Sequence, residues 1–276
     1  MRPVTIITSF PPDAWDAYAR EFVEGFLLAW PDYKLVIYHE EDASAKRKLD
    51  HARIRWMSLW DIEYLKDFVM TIGQSPPMRG VLQGPDGKKA YSYRHDAYRW
   101  ARKSFAIHHA ATTYPGIVVW LDADIVTHSR VPDEFIEGLF PPGVHHAYLG
   151  REAIHMYSET GFLGFDTMCP GHDIFMKTMR AIWLSGAFQL LSEWHCCHVF
   201  DFTRKLVQTT GNNLTPKTYG GIHPFINSVL GDYMDHRKGG RKESRSAPSE
   251  RVVPSLHPYW QEEPDYAKTA INHRSG

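Results

Sequence analysis

A chain of 276 residues, 43% hydrophobic and 13% aromatic with a formal net charge of −1, has room for one or two domains and ample apolar material for a core. A charge so near zero excludes the global signature of a nucleic-acid-coating protein, so any such contact needs a local patch. Three cysteines, two of them adjacent (Cys196, Cys197), exclude a disulfide framework, and no apolar run is long enough to span a bilayer.

Met1-Arg2-Pro3 leads straight into Val4–Thr8, so residues 2–8 read as a first strand rather than as a signal peptide. With few cysteines and no span, the expectation is a protein of a reducing compartment, cytoplasmic and free of the membrane. Asp13 follows the Ser9–Pro12 turn as a helix cap, and Trp15, Tyr18, Phe22 and Phe26 recur at helical spacing. Strands follow at Lys34–Tyr38 and around Ile54–Trp56. A strand, a helix and a second strand within forty residues open a parallel α/β sheet.

Residues 73–93, rich in Gly and Pro, read as a long irregular segment of the kind used for lids or binding loops. A helix over roughly 94–111 places Asp96, Arg99 and Lys103 on one face, and Ala97, Ala101 and Phe105 on another. Next comes the most informative stretch, Ile117-Val118-Val119-Trp120-Leu121-Asp122-Ala123-Asp124. An uncharged apolar run ending in D-x-D reads as a buried strand whose carboxyl end carries two carboxylates. Ligands of open α/β sheets sit at that edge, and a divalent metal bearing phosphate oxygens would satisfy both acids. The plainer alternative is a pair of turn carboxylates capping the next helix.

Strands or loops are expected over 145–149 and 161–165, and helices over about 171–184 and 192–206. His108-His109 and His145-His146 read as helix-surface and strand-edge residues. Glu193-Trp194-His195-Cys196-Cys197-His198 invites a zinc reading through His195 and His198. It has no C-x-x-C pair and no second cluster, so the cysteines read as buried structural residues. Gly231–Arg251, with Arg237, Lys238, Arg241, Lys242, Arg245 and Arg251, reads as a mobile loop. Within it, His236-x-x-Gly239-x-x-Lys242 offers an imidazole for a borderline metal, glycines that let a backbone approach phosphate, and a lysine charge. A solvated basic loop would explain the same letters.

The order of these motifs resembles that of metal-dependent glycosyltransferases of the GT-A fold, especially the glycogenin and galactosyltransferase type. The resemblance spans most of the chain. It runs from Val4–Thr8 through Arg94, Arg99 and Lys103 to Leu121-Asp122-Ala123-Asp124, then Glu159-Thr160-Gly161, Glu193-Trp194-His195 and His236–Lys242. It departs where Glu159-Thr160-Gly161 replaces an Asn segment, where Glu193-Trp194-His195 replaces D-Q-D, and where Glu243-Ser244 stand in place of Pro-Trp. The resemblance implies one α/β domain over 1–276, with a mostly parallel, Rossmann-like central sheet flanked by helices. Residues 231–276 would form a metal- and diphosphate-binding tail.

It further implies that Asp122, Asp124 and His236 hold Mn²⁺ or Mg²⁺ on the diphosphate of a UDP-sugar. Thr8, Arg94, Arg99, Lys103, Asp122, Gly239 and Lys242 would contact that donor. An inverting transfer needs a carboxylate base. Glu159, Glu193 and Asp201 are the candidates, with His195 beside them. The chain is also similar to phage-encoded enzymes that decorate hydroxymethylated pyrimidines in DNA, which makes such DNA a candidate acceptor. The basic 237–251 stretch would meet its phosphates.

Two rival readings share the same residues. Haloacid-dehalogenase-type phosphatases use D-x-D-x-[TV], matched by Asp122–Val126, and a later G-D-x-x-D, matched by Gly231–Asp235. There Asp122 would be the nucleophile and Asp124 the acid/base. A non-catalytic nucleotide-binding module is the other.

Overall fold

The computed structural model describes residues 2–40, 49–244, 251–255 and 257–261. Arg245 and the end of the expected tail, 262–276, lie outside them. Its first elements are β1 (Val4–Phe10), a π-helical turn (Trp15–Ala19) running into α1 (Arg20–Ala29), β2 (Lys34–His39), β3 (Ile54–Ser58) and α2 (Glu63–Phe68). There follow β4 (Val81–Gln83), β5 (Lys89–Tyr91), α3 (Ala97–Thr113), β6 (Ile117–Leu121) and β7 (Ile125–Thr127). The rest comprises β8 (His146–Arg151), β9 (Met156–Asp166), α4 (His172–Leu184), α5 (Cys196–Val207), β10 (Gly211–Asn213) and β11 (Met234–His236).

Seven strands form the central sheet in the order β10-β8-β9-β6-β1-β2-β3. Every neighbouring pair is parallel except the two made by β9, which runs antiparallel to both β6 and β8. The expected mostly parallel sheet is therefore present, with one reversed strand beside the D-x-D strand.

The apolar runs of β1, β2 and β6 are continuous because both faces of the sheet are covered. Strand alternation divides them. Ile117, Val119 and Leu121 face one core layer with Ile6, Leu35, Ile37 and the α1 residues Phe22, Val23 and Phe26. Val118 and Trp120 face the other, with Ile7, Val36, Tyr38 and residues of α3, α4 and α5.

The structure corrects several expectations. Asp13 does not cap the helix after β1; Ala14 holds that position with no side-chain bond, and backbone turns onto Pro11 and Pro12 lead the chain in. The 73–93 segment is not wholly irregular, since β4 and β5 pair as a short hairpin. Asp96 instead proves to be a helix cap, its carboxylate accepting from the Arg99 N–H at 3.0 Å. The histidine pairs are not surface residues: His108, His145 and His146 are all buried. His145 and His146 lie where β8 enters the sheet and pack on Phe175, which buries both rings. The 231–251 stretch is not a free loop either, because β11 within it pairs antiparallel with β7. Among the described residues, no helix is long and apolar enough to cross a membrane.

Candidate metal centre and cleft

Backbone pairing alone brings the distant motifs together. β6 ends at Leu121, and the Asp122–Asp124 turn closes with the Ile125 N–H on the Asp122 carbonyl. The chain continues as β7, which β11 joins in a register that sets His236 opposite Ile125. The Arg237 N–H donates to the Asp124 carbonyl at 3.1 Å. On the other side, the Asp122 N–H donates to the Gly161 carbonyl of β9 at 3.0 Å. His236 therefore reaches the aspartates from one flank, and Glu159–Gly161 from the other. A Cβ on Gly161 would stand 2.3 Å from the His236 ring, so only glycine leaves that ring its place.

Asp122, Asp124 and His236 each offer a ligand atom, and these atoms lie within 4.8 Å of one another. His236 Nε2 is 3.0 Å from Asp124 Oδ1 and 3.6 Å from Asp122 Oδ2. Two carboxylates and an imidazole suit Mn²⁺ well and Mg²⁺ less so. Asp124 Oδ1 is buried and faces only the His236 imidazole, at 3.0 Å; a cation would take the place of the imidazole proton between them. Among the described residues no other cluster of this kind occurs, which leaves zinc at His195 and His198 unsupported.

Lysines surround the acids. Lys103 Nζ lies 2.6 Å from Asp122 Oδ1 and 2.6 Å from the Thr160 carbonyl. The Trp120 indole N–H donates to the same Asp122 oxygen at 2.7 Å. Lys242 Nζ is 2.9 Å from Asp124 Oδ2, and Lys238 Nζ is 3.1 Å from Glu159 Oε2. Burial opposes the charges of Asp124, Glu159, His236 and Lys103, yet their partners prevail. Against it, His236 and Lys242 hold Asp124 well below the usual carboxylate range. Asp124 and Glu159 likewise overcome burial to push His236 up to about 9. Lys103 is raised by Asp122 despite its complete burial.

The site opens into a cleft of about 1360 Å³. Its lining includes Phe10, Tyr18, Glu40 and Arg102, and an aromatic end where Tyr93 and Trp100 meet His195 beside Tyr157. Thr8, expected to contact the donor, is fully buried in β1 and off the cleft wall, where Ser9 and Phe10 take its place. Arg94, Arg99, Gly239 and Lys242 line the cleft. Gly239 has a φ of 55°, the left-handed turn that returns the chain toward Lys242. Lys103 lines the cleft too, but its charge is spent on Asp122 rather than left free for a diphosphate.

The three candidate bases separate. Asp201 is buried away from the cleft wall, where it accepts from the Ser158 N–H and hydroxyl at 2.7 Å each and from Arg204 Nε at 2.6 Å. Those three bonds make it a structural post between β9 and α5. Glu159 lies beneath His236, Oε1 to Nδ1 3.3 Å, and accepts the Gly161 N–H at 2.8 Å. Glu193 lines the cleft, 3.0 Å from Arg94. His195 stacks on Trp100, ring centroids 4.1 Å apart, and burial lowers it to about 4, so it is neutral. His198 beside it is likewise lowered to about 4 by burial. The cysteines Cys196 and Cys197 are buried and unpaired.

The basic stretch is turned inward. Arg237 pairs with Glu21, Lys238 with Glu159, Arg241 with Asp235, Lys242 with Asp124 and Arg251 with Asp232. That pattern also counters the phosphatase reading. Its second acidic pair would be Asp232 and Asp235, and both are bound to arginines rather than joined to Asp122 and Asp124.

Sequence reading missed Trp120, Tyr18 and Gly161. Trp120 was legible in principle: it sits two residues before Asp122 on a strand, hence on the same side.

Comparison with known proteins adds the fold class. No protein-family model and no curated protein matches the sequence. Among solved structures, a glycosyltransferase involved in glycosylation of the major capsid of PBCV-1 is similar at 14% identity and a TM-score of 0.50, over 88% of this chain and 96% of that one. Mouse xyloside xylosyltransferase 1 aligns at 13% identity and a TM-score of 0.48, over 77% of this chain and 85% of that one. The bifunctional glycosyltransferase WbbM aligns at 8% and 0.45, over 78% of this chain and 39% of that one. The fold is of the GT-A type, α/β with a mostly parallel central sheet flanked by helices.

Proposed function

We propose that this protein is a metal-dependent glycosyltransferase that takes its sugar from a nucleoside diphosphate sugar, with a UDP-sugar as the donor. The observation that carries the reading is the convergence of Asp122, Asp124 and His236 at the carboxyl end of β6, on the wall of a cleft large enough for donor and acceptor. Fold alone does not define an activity. A D-x-D turn completed by a distant histidine and ringed by lysines is the chemistry of a metal–diphosphate clamp.

Asp122, Asp124 and His236 would hold Mn²⁺ or Mg²⁺, which when bound supplies Lewis-acid stabilisation of the charge on the departing diphosphate. Lys103 and Trp120 hold Asp122 in one orientation. Lys242 adds a positive charge at the same point. For an inverting transfer, Glu193 is the candidate to take the acceptor's proton, because Asp201 is buried off the wall and Glu159 is committed to His236. Arg94 holds Glu193 in place at 3.0 Å.

The acceptor we propose is a hydroxymethylated pyrimidine in DNA. Its support is the aromatic end of the cleft, where Tyr93, Trp100, Tyr157 and His195 could receive an unstacked base. The inward-facing basic stretch lends it none.

A thermal-shift panel of UDP-, GDP- and dTDP-sugars with and without Mn²⁺ tests the donor. UDP-sugar with Mn²⁺ should stabilise the protein, and Asp124→Ala should abolish the metal-dependent part. A full shift in that variant would refute the metal site. Transfer of label from a UDP-sugar to hydroxymethylcytosine DNA, but not to unmodified DNA, tests the acceptor; no transfer from any nucleotide sugar rejects it.

A further inference from the structure

We infer that Glu159 is a positioning residue that sets the tautomer of His236, and not the base of the reaction. The inference rests on the metal-site reading above. A neutral imidazole carries its proton on one nitrogen and its lone pair on the other, and the hydrogen bond at one decides the other. His236 Nε2 faces Asp124 at 3.0 Å and Asp122 at 3.6 Å, while Nδ1 faces Glu159 Oε1 at 3.3 Å. To serve as a ligand at Nε2, the ring must keep its proton on Nδ1.

Phe225 packs edge-on against the ring, centroids 5.4 Å apart. It can fix the ring plane, but it has no polarity with which to choose between the nitrogens. Glu159 has that polarity. Its own position is set from two sides: the Gly161 N–H donates to Oε1 at 2.8 Å, and Lys238 lies 3.1 Å from Oε2. It lines the cleft with only 4% of its surface exposed, and both its oxygens are already engaged. A carboxylate behind a metal-ligating histidine typically raises metal affinity about 10–100-fold.

The experiment compares wild type, Glu159→Gln and Glu159→Ala by three readouts. These are Mn²⁺ binding followed by electron paramagnetic resonance without donor, the His236 tautomer from ¹⁵N NMR of the metal-free protein once its ring is neutral, and kcat against Mn²⁺ concentration. In wild type the neutral ring should carry its proton on Nδ1. The alanine variant should mix tautomers, bind Mn²⁺ at least about tenfold more weakly, and recover kcat when Mn²⁺ is raised. The glutamine variant keeps an oxygen for Nδ1–H and should fall between, and it decides the matter should alanine not fold. Unchanged affinity and tautomer in both variants would overturn the inference. So would a loss of kcat at saturating Mn²⁺ with affinity unmoved, the behaviour of a base. If wild type itself binds no Mn²⁺, the metal reading fails, and the metal-free tautomer still decides the role of Glu159.

Discussion

Lys103 and Asp122 form a contact that is both buried and directional: the ammonium sits 2.6 Å from Oδ1 and is anchored behind by the Thr160 carbonyl. One acid of the D-x-D pair thus has a resident cation. Lys103→Met keeps the stem and removes the charge. It should lower kcat/KM about 10–100-fold, as lost outer partners of metal ligands do. Stability should fall by only about 1–3 kcal/mol, the cost of stranding the Thr160 carbonyl. Steady-state kinetics and urea melts on one preparation check both numbers.

Lys242 already occupies Asp124 at 2.9 Å, so a divalent cation bound there as proposed would compete with it. Lys242→Met should therefore tighten Mn²⁺ binding by removing a like charge, while kcat falls on the order of 10²-fold through lost stabilisation of the departing diphosphate. Opposite signs are the test. A variant that weakens both Mn²⁺ binding and turnover would show that Lys242 only supports the loop.

Gly161→Ala adds a methyl where 2.3 Å separates it from the His236 ring. Overpacking of this kind costs about 1–3 kcal/mol. The metal-dependent thermal shift should vanish with it, because the ring must move. Calorimetry with and without Mn²⁺ measures the two effects.

Acid should unfold this protein through its buried histidines. His172 Nε2 meets the Ala111 carbonyl at 2.9 Å, His145 Nε2 meets His172 Nδ1 at 3.1 Å, and His146 Nδ1 lies 3.3 Å from His145 Nδ1. The chain is self-consistent only with neutral rings. Burial lowers His145 to about 3 and His146 to about 4. A folded pKa below the unfolded value means that the unfolded chain binds more protons, so stability is complete above pH 6.5 and is lost as pH falls from 6.5 toward 3–4. Each such histidine contributes about 1.4 kcal/mol per pH unit in that window. His236, pushed up to about 9, works the other way: its contribution is complete below 6.5 and lost as pH rises through about 9. Denaturant midpoints from pH 4 to 8 should rise steeply to 6.5, and His145→Gln should flatten the rise.

The central sheet could be read from the chain because β1 and β6 are uncharged runs rich in apolar residues, and β2 is apolar from Leu35 to Tyr38. The D-x-D turn was readable for the same reason, as charge placed abruptly after such a run. His236 was readable by spacing, but its approach through β11 was not. Three residues are too short to register as a strand, and their pairing with β7 is decided by packing of Met234 and Phe225 rather than by local propensity. The surroundings of Asp201 and Glu159 were not readable, because sequence shows an acid without its partners. Only the fold reveals that Ser158 and Arg204 claim the first, and that His236 and Lys238 claim the second. The histidine pairs misled in the same way, since a polar letter says nothing of the aromatic neighbours that bury it.

The antiparallel pairing of β7 with β11 has a consequence in time. Asp122 and Asp124 are made more than a hundred residues before His236, so the nascent chain carries its two acids for that interval without their third partner. Contacts so distant in sequence form late. Lys103, made earlier than Asp122, is available throughout and can shield it while the sheet assembles. The Asp122–Asp124–His236 cluster is then complete only once β11 has been made, after the scaffold that bears it.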